Sequence, residues 1–466
     1  MTEKPLETGA HEPQLVRGLG LRSATAVVAG SVIGSGVFLV AADISNAVPS
    51  PGAAVLVWVV GGFISLVGGL AFAELGAMLP GSGGPYIYLR EAFNQLLGFL
   101  YGWTTVLIVQ PGSIAAVAIG FAQFAGYLLP LSPFYIKWLA STTIVAFTVI
   151  NLLGLKKGAG VLDLLTVLKV LALVGIGAAG LWLPARHPVA LVDWAGSTLP
   201  GFGVALIAAF WAYDGWNNIS YVAGEVENPQ RNVPLSLLSG IALVGLLYVM
   251  ANLAYYRFVP VAAIAASRFP AADAARAMAG GWAVNVVIVS VLLSTLGCVN
   301  GLILSGARVT YAMAADRALP PELGRVEPTY RVPSTALIVQ LVLALALVWT
   351  GRYDQLFTYV VSISFFFYGL SAVALIVLRY RRPELERPFR VPLYPWLPLA
   401  YAAFTAAFFV NAVIEKPVES LCGVGMVLLG IPVFLWQRAR NARQATPPAP
   451  SSGPLQGAAR SEPLPG

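Results

Sequence analysis

Two short polar interruptions in apolar sequence carry the chain's clearest chemistry. The first, AGSVIGSGVFL (29–39), holds three glycines and two serines within seven positions. Glycines at 34 and 36 let a helix unwind cheaply, which would leave the amides of Ser35 and Gly36 as donors at the positive end of a following half-helix. Upstream, the carbonyl of Val32 would have lost its helical partner and could accept from an ammonium. The second interruption, FWAYDGWNN (210–218), offers the same arrangement, with carbonyls near Trp211 and Asp214 and large rings at Phe210, Trp211, Tyr213 and Trp216 that could cover a bound molecule. Opposed donors and acceptors on two broken helices suit a zwitterionic α-amino acid. The candidate substrate-binding residues are therefore Val32, Ile33, Gly34, Ser35, Gly36, Phe210, Trp211, Ala212, Tyr213 and Asp214. Asp214 would offer its carbonyl to the ligand, and its carboxylate would cap the next half-helix. The competing reading of the first stretch is close helix packing, since Gly30 and Gly34 form a small-xxx-small pair. The cluster is denser than packing alone requires.

The elements that must position these residues are membrane helices. The chain has 466 residues, 58% hydrophobic and 11% charged, with a mean hydropathy of +0.77, far more apolar sequence than one soluble core can hide. Segments of roughly 20 apolar residues predict about twelve spans, at 23–46, 52–79, 92–129, 134–153, 160–183, 201–226, 234–257, 282–312, 333–351, 355–379, 393–413 and 418–437. Both interruptions fall mid-span, in helices 1 and 6. If helices 1–5 (23–183) and 6–10 (201–379) are two halves, the breaks correspond, the sequence pointer to an inverted repeat. A tail at 1–20 and another at 441–466, rich in Pro, Gly, Ser and Ala, are expected to be disordered around a single transporter domain at 21–440.

Charge orients the spans. Most of the 28 lysines and arginines, among them Lys4, Arg17, Lys156, Arg308 and the 379–390 cluster, are assigned to one side, which the positive-inside rule makes cytoplasmic together with both termini. The pI near 9.4 is thereby explained without a nucleic-acid partner. Lys169, in LDLLTVLKVLALVG, is the one cation assigned to a span interior, either a functional group or a lysine snorkelling to the interface. The two cysteines, Cys298 and Cys422, lie in apolar spans, so no disulfide is expected. With two histidines, no Cys/His cluster and no phosphate-cradling motif, the sequence points to no metal, no cofactor and no enzymatic chemistry. A surface-lying connector is expected at 262–282. Glu225, Asn228 and Pro229 either terminate helix 6 or serve a gate, and the run SFFFYG (364–369) either lines the pocket or packs ordinarily.

GSVIGSGVF, FAELGAMLPGSGGPYIYLREAF and AYDGWNNISYVAGEVENPQRNVP together resemble the amino acid–polyamine–organocation transporters, specifically the L-type amino acid transporter branch and its prokaryotic relatives, over about residues 15–440. The resemblance implies an all-α, LeuT-like 5+5 inverted repeat plus two helices, with helices 1 and 6 broken. It implies sodium-independent amino acid transport by alternating access, usually as exchange, with the carboxylate on the amides of Ser35 and Gly36 and the ammonium on the carbonyls of Val32, Trp211 and Asp214. It also makes Lys169 a coupling residue that fills the sodium position and ties the Gly34 region to helix 8, where Ser294, Thr295 and Cys298 offer partners; Trp216 is a gating candidate. The expected substrates are neutral and small, because Trp211 is bulky. The alternative is a proton-coupled symporter in which buried Lys169 loses its proton, and the readings of another class are a channel or a receptor-like protein. The loop near LPLSPFYIKW lacks a cysteine, so no disulfide-linked heavy chain is expected. The expected setting is the cell (inner) membrane.

Overall fold

A computed structural model describes residues 15–445 apart from 188, 191–192, 351–352 and 416. Among these residues ten helices are long and apolar enough to cross a membrane, and the shorter apolar helices Leu199–Tyr213 and Ser334–Thr350 complete twelve spans. In chain order they are helix 1 (Leu21–Val32 and, beyond a break, Gly36–Leu39), helix 2 (Pro51–Met78), helix 3 (Gln95–Leu128), helix 4 (Pro133–Leu152) and helix 5 (Leu155–Trp182). The second half comprises helix 6 (Leu199–Tyr213 and, beyond a break, Asn218–Tyr221), helix 7 (Pro229–Phe258), helix 8 (Gly281–Ala315), helix 9 (Ser334–Thr350) and helix 10 (Tyr353–Arg381). Helix 11 (Trp396–Glu415) and helix 12, split into Pro417–Leu428 and Gly430–Ala445, follow.

Several boundaries differ from the sequence expectation. Helix 12 runs to Ala445, past the anticipated end of the domain at 440. Residues 15–20 are not a loose tail: Gly18 and Leu19 donate their amides to the Glu225 carbonyl, and Glu227 donates back to Leu19, pairing this segment with the chain after helix 6. The remaining tail residues, 1–14 and 446–466, lie outside the described residues. Helix 3 begins at Gln95, where the Asn94 side chain caps the Leu97 amide, and contains a π-helical turn at Thr105–Val109. The expected surface connector forms the helices Val261–Ala265 and Pro270–Ala279, the second held by buried Ala271, Ala272, Ala274 and Ala275.

The interior has two apolar clusters. One includes Val28, Trp58, Tyr213, Tyr248 and Phe365, from helices 1, 2, 6, 7 and 10. The other includes Ile114, Ile144, Val299 and Leu337, from helices 3, 4, 8 and 9. Helix 5 shows how its sequence places one residue between them. Leu164, Val167 and Leu171 are exposed, as suits a lipid-facing stripe, while Leu162, Leu165, Thr166, Lys169 and Leu173 recur at helical spacing on the buried face. Lys169 is thus aimed inward, at 0% exposure, and does not snorkel.

Candidate functional site

The break in helix 1 can be accounted for bond by bond. A helix ending at Val32 strands the carbonyls of its last turn, which lipid cannot satisfy. Each of the four receives a side chain from another helix. Gly30 and Ile33 accept from Lys169 Nζ at 2.7 and 2.8 Å. Ser31 accepts from Cys298 Sγ at 3.0 Å. Val32 accepts from the Gly34 amide at 2.8 Å and lies 3.1 Å from the Tyr248 hydroxyl. Ser294 Oγ lies 2.9 Å from the Ile33 carbonyl and 3.1 Å from that of Gly34, and Lys169 Nζ also reaches the Ser294 carbonyl at 3.4 Å.

The donors past the break are treated in the opposite way. Among the described residues, neither the amide of Ser35 nor that of Gly36 has a hydrogen-bond acceptor. Both residues line a cavity of about 40 Å³, together with Ser31, Val32, Gly34, Ser113, Val117, Trp211, Ala212, Asp214, Gly215, Cys298 and Leu302. With every stranded acceptor filled and two amides open, the first break presents positive potential alone, which fits a carboxylate.

Helix 6 breaks against it. A Cβ on Gly36 would lie 2.8 Å from Ala212 Cα, and one on Gly215 would lie 3.0 Å from the Ser31 carbonyl, so glycine at both positions lets the two breaks interlock. Gly215 also has φ +103°, a conformation other residues adopt only with strain. The Ala212 carbonyl is 3.1 Å from the Tyr248 hydroxyl, which therefore spans the ends of both half-helices. The Trp211 carbonyl accepts the Asp214 amide at 3.2 Å, and the Asp214 carbonyl accepts no hydrogen bond among the described residues. These acceptors, at the negative end of Leu199–Tyr213, match an ammonium.

Seven of the ten expected substrate-binding residues line the cavity; Ile33, Phe210 and Tyr213 do not. Ile33 acts through its carbonyl toward Lys169. The Phe210 ring packs on Phe365, Phe404 and Phe408 with centroids 5.0, 5.2 and 5.6 Å away. Tyr213 packs on Trp58 and Tyr248 and donates to the Trp58 carbonyl at 2.9 Å. The Val32 carbonyl, expected to meet the ammonium, accepts the Gly34 amide and lies 3.1 Å from the Tyr248 hydroxyl. Asp214 does not cap the following half-helix, whose N-cap position is occupied by Asn217; its carboxylate instead accepts from the Tyr368 hydroxyl at 2.8 Å. The Gly34 carbonyl meets Ser294 and not Lys169, while Thr295 turns back to Val291 of its own helix. Trp216 packs on Phe72 and Tyr368, its centroid 4.9 and 5.6 Å from theirs.

Sequence reasoning missed Ser31, Ser113, Val117, Gly215 and Leu302 as lining residues and Tyr248 as the bridge. Arg308, counted above with the cations of the cytoplasmic side, lies inside helix 8, buried, and holds the equally buried Glu225 through Nε at 2.6 Å and a second bond at 3.1 Å. Glu225 therefore locks the end of helix 6 to helix 8, and its carbonyl holds the segment ahead of helix 1.

Comparison with known proteins points the same way. The amino acid permease family profile matches residues 19–431. The serine/threonine exchanger SteT of Bacillus subtilis is 31% identical over 433 residues, covering 92% of this chain and 98% of its own. The human large neutral amino acids transporter small subunit 2 is 32% identical, covering 91% of this chain and 81% of its own. The human Asc-type amino acid transporter 1 is 31% identical, at 90% and 82%.

Proposed function

The chain belongs to the amino acid permease family, within the amino acid–polyamine–organocation superfamily, and from that premise we propose that it is a sodium-independent exchanger of small neutral L-amino acids, working by alternating access. The observation that carries the reading is the asymmetry of the two breaks. The substrate carboxylate sits on the amides of Ser35 and Gly36, and its ammonium meets the Trp211 and Asp214 carbonyls. The cavity at the breaks is small, about 40 Å³, and walled by Trp211, which favours a small side chain over a large one. Ser31 Oγ, buried without a partner, and Ser113 are suited to a hydroxylated side chain, in keeping with the activity named for the Bacillus relative.

Sodium independence is supported by the Lys169 ammonium, which already takes up the carbonyls of Gly30, Ile33 and Ser294 that a cation would need. Exchange is preferred to proton symport through Lys169 because the Bacillus relative is named as an exchanger. The Glu225–Arg308 pair closes the side that holds the chain ends. The protein works in the cell (inner) membrane with both termini cytoplasmic and without a disulfide-linked heavy chain. Radiolabelled serine uptake into proteoliposomes tests this. Uptake should require internal serine, proceed equally in sodium and potassium buffers, and gain nothing from a pH gradient. Uptake into empty vesicles driven by sodium or protons would overturn it.

A further inference from the structure

The sequence between helices 10 and 11, RYRRPELERPFRVP (379–392), has no part in the substrate site, yet it packs five arginines beside a span. Three of them, Arg379, Arg387 and Arg390, line a separate cavity of about 210 Å³ with Pro383. Buried Glu74 stands at its back, gripping Arg379 through two bonds at 2.7 and 2.6 Å and accepting the Val391 amide. Arg387 is held by backbone, donating Nη1 to the Pro383 and Leu385 carbonyls and Nη2 to those of Leu378 and Arg382. Its buried Nε has no hydrogen-bond partner and sits 3.9 Å from Glu74 Oε1, beyond bonding distance. Arg390 makes no hydrogen bond or ion pair among the described residues and is exposed. Glu384 is taken by Arg382 at 2.6 Å. The residues that line the cavity are thus three arginines and a proline, with no carboxylate among them.

The surroundings say what kind of anion fits. Tyr380, Leu393 and Trp396 flank the loop at 79%, 72% and 72% exposure, large rings and an aliphatic chain at the end of a membrane span, where interfacial aromatics sit among lipid headgroups. We propose that this cavity binds the phosphate of an anionic phospholipid, with Arg390 as its donor, the Arg379 and Arg387 charges in its wall, and Tyr380, Leu393 and Trp396 against the glycerol and upper acyl region. Basic residues just outside a span have this effect in general, at roughly a fivefold change in affinity per arginine.

Native mass spectrometry of the full-length detergent-purified protein tests the assignment, with phosphatidylglycerol, phosphatidylcholine and inorganic phosphate as probes. The wild type should retain phosphatidylglycerol about tenfold or more over phosphatidylcholine. Arg390→Gln, which removes no contact of the fold, should lower that retention about fivefold. Arg438→Gln, on helix 12 and away from this cavity, should leave it unchanged. Equal retention of the two lipids, or phosphatidylglycerol binding indifferent to Arg390→Gln, would overturn the proposal. Displacement of the lipid by equimolar phosphate would assign the site to a free anion and overturn the lipid reading.

Discussion

The breaks in helices 1 and 6 look alike in sequence, each a short polar interruption of an apolar run, but they are held in opposite ways. In the first, stranded carbonyls are filled by Lys169, Cys298, Tyr248 and Ser294 from helices 5, 7 and 8, and the amides are left open. In the second, the side chains do the bonding. Tyr368 holds the Asp214 carboxylate, Asn217 reaches the Tyr221 hydroxyl at 3.0 Å, and Tyr221 meets Tyr101 at 2.6 Å, while the Asp214 carbonyl stays open. On the proposed function, a pair of broken helices becomes a dipolar receptor because the rest of the protein fills acceptors on one side and leaves them on the other.

The severest way to break this contrast is Lys169→Ala. It strips the Gly30 and Ile33 carbonyls of charge-assisted donors worth about 1.5–3 kcal/mol each. The initial rate of serine exchange should fall by roughly 100-fold or more, with reduced thermal stability of the purified protein. Gly215→Ala comes next: a strained φ and a Cβ against the Ser31 carbonyl should cost about 1–3 kcal/mol, read as a loss of tenfold or more in kcat/KM. Tyr248→Phe, which unties the two half-helix ends without changing the packed volume, should cost about 1 kcal/mol and raise KM about fivefold. Tyr368→Phe acts only on the second break. It frees the Asp214 carboxylate without touching the main-chain contacts and should change serine exchange by about threefold or less. A larger loss for Tyr368→Phe than for Tyr248→Phe would show that the side-chain network, and not the backbone, holds the substrate.

Both breaks were legible in the sequence, the first from a glycine and serine cluster denser than helix packing requires and the second from Asp214, Gly215, Asn217 and Asn218 inside an apolar span. An isolated lysine at 169 was equally visible. The fillers were not. Tyr248 lies in an apolar helix with no local peculiarity, and only the fold brings it to Val32 and Ala212. Phe210 was misjudged because spacing does not say which face of a helix turns to a pocket and which to the aromatic cluster of helices 10 and 11. Arg308 reads in the sequence as one more cytoplasmic cation, because a buried arginine is credible only once Glu225 is known to stand beside it. Asp214 fits the composition of a cap, but Tyr368, more than 150 residues later in the chain, competes for the same carboxylate.

The division of labour between the breaks is tested most directly by inhibition constants for L-serine and L-serinamide, which lacks the carboxylate, in wild type, Gly36→Ala and Gly215→Ala. The wild type should prefer serine by about 100-fold, as expected for two charge-assisted hydrogen bonds. Gly36→Ala should collapse that ratio toward one, while Gly215→Ala weakens both ligands and keeps it. A ratio unchanged in Gly36→Ala, or lost equally in both variants, would contradict the assignment of the carboxylate to the first break.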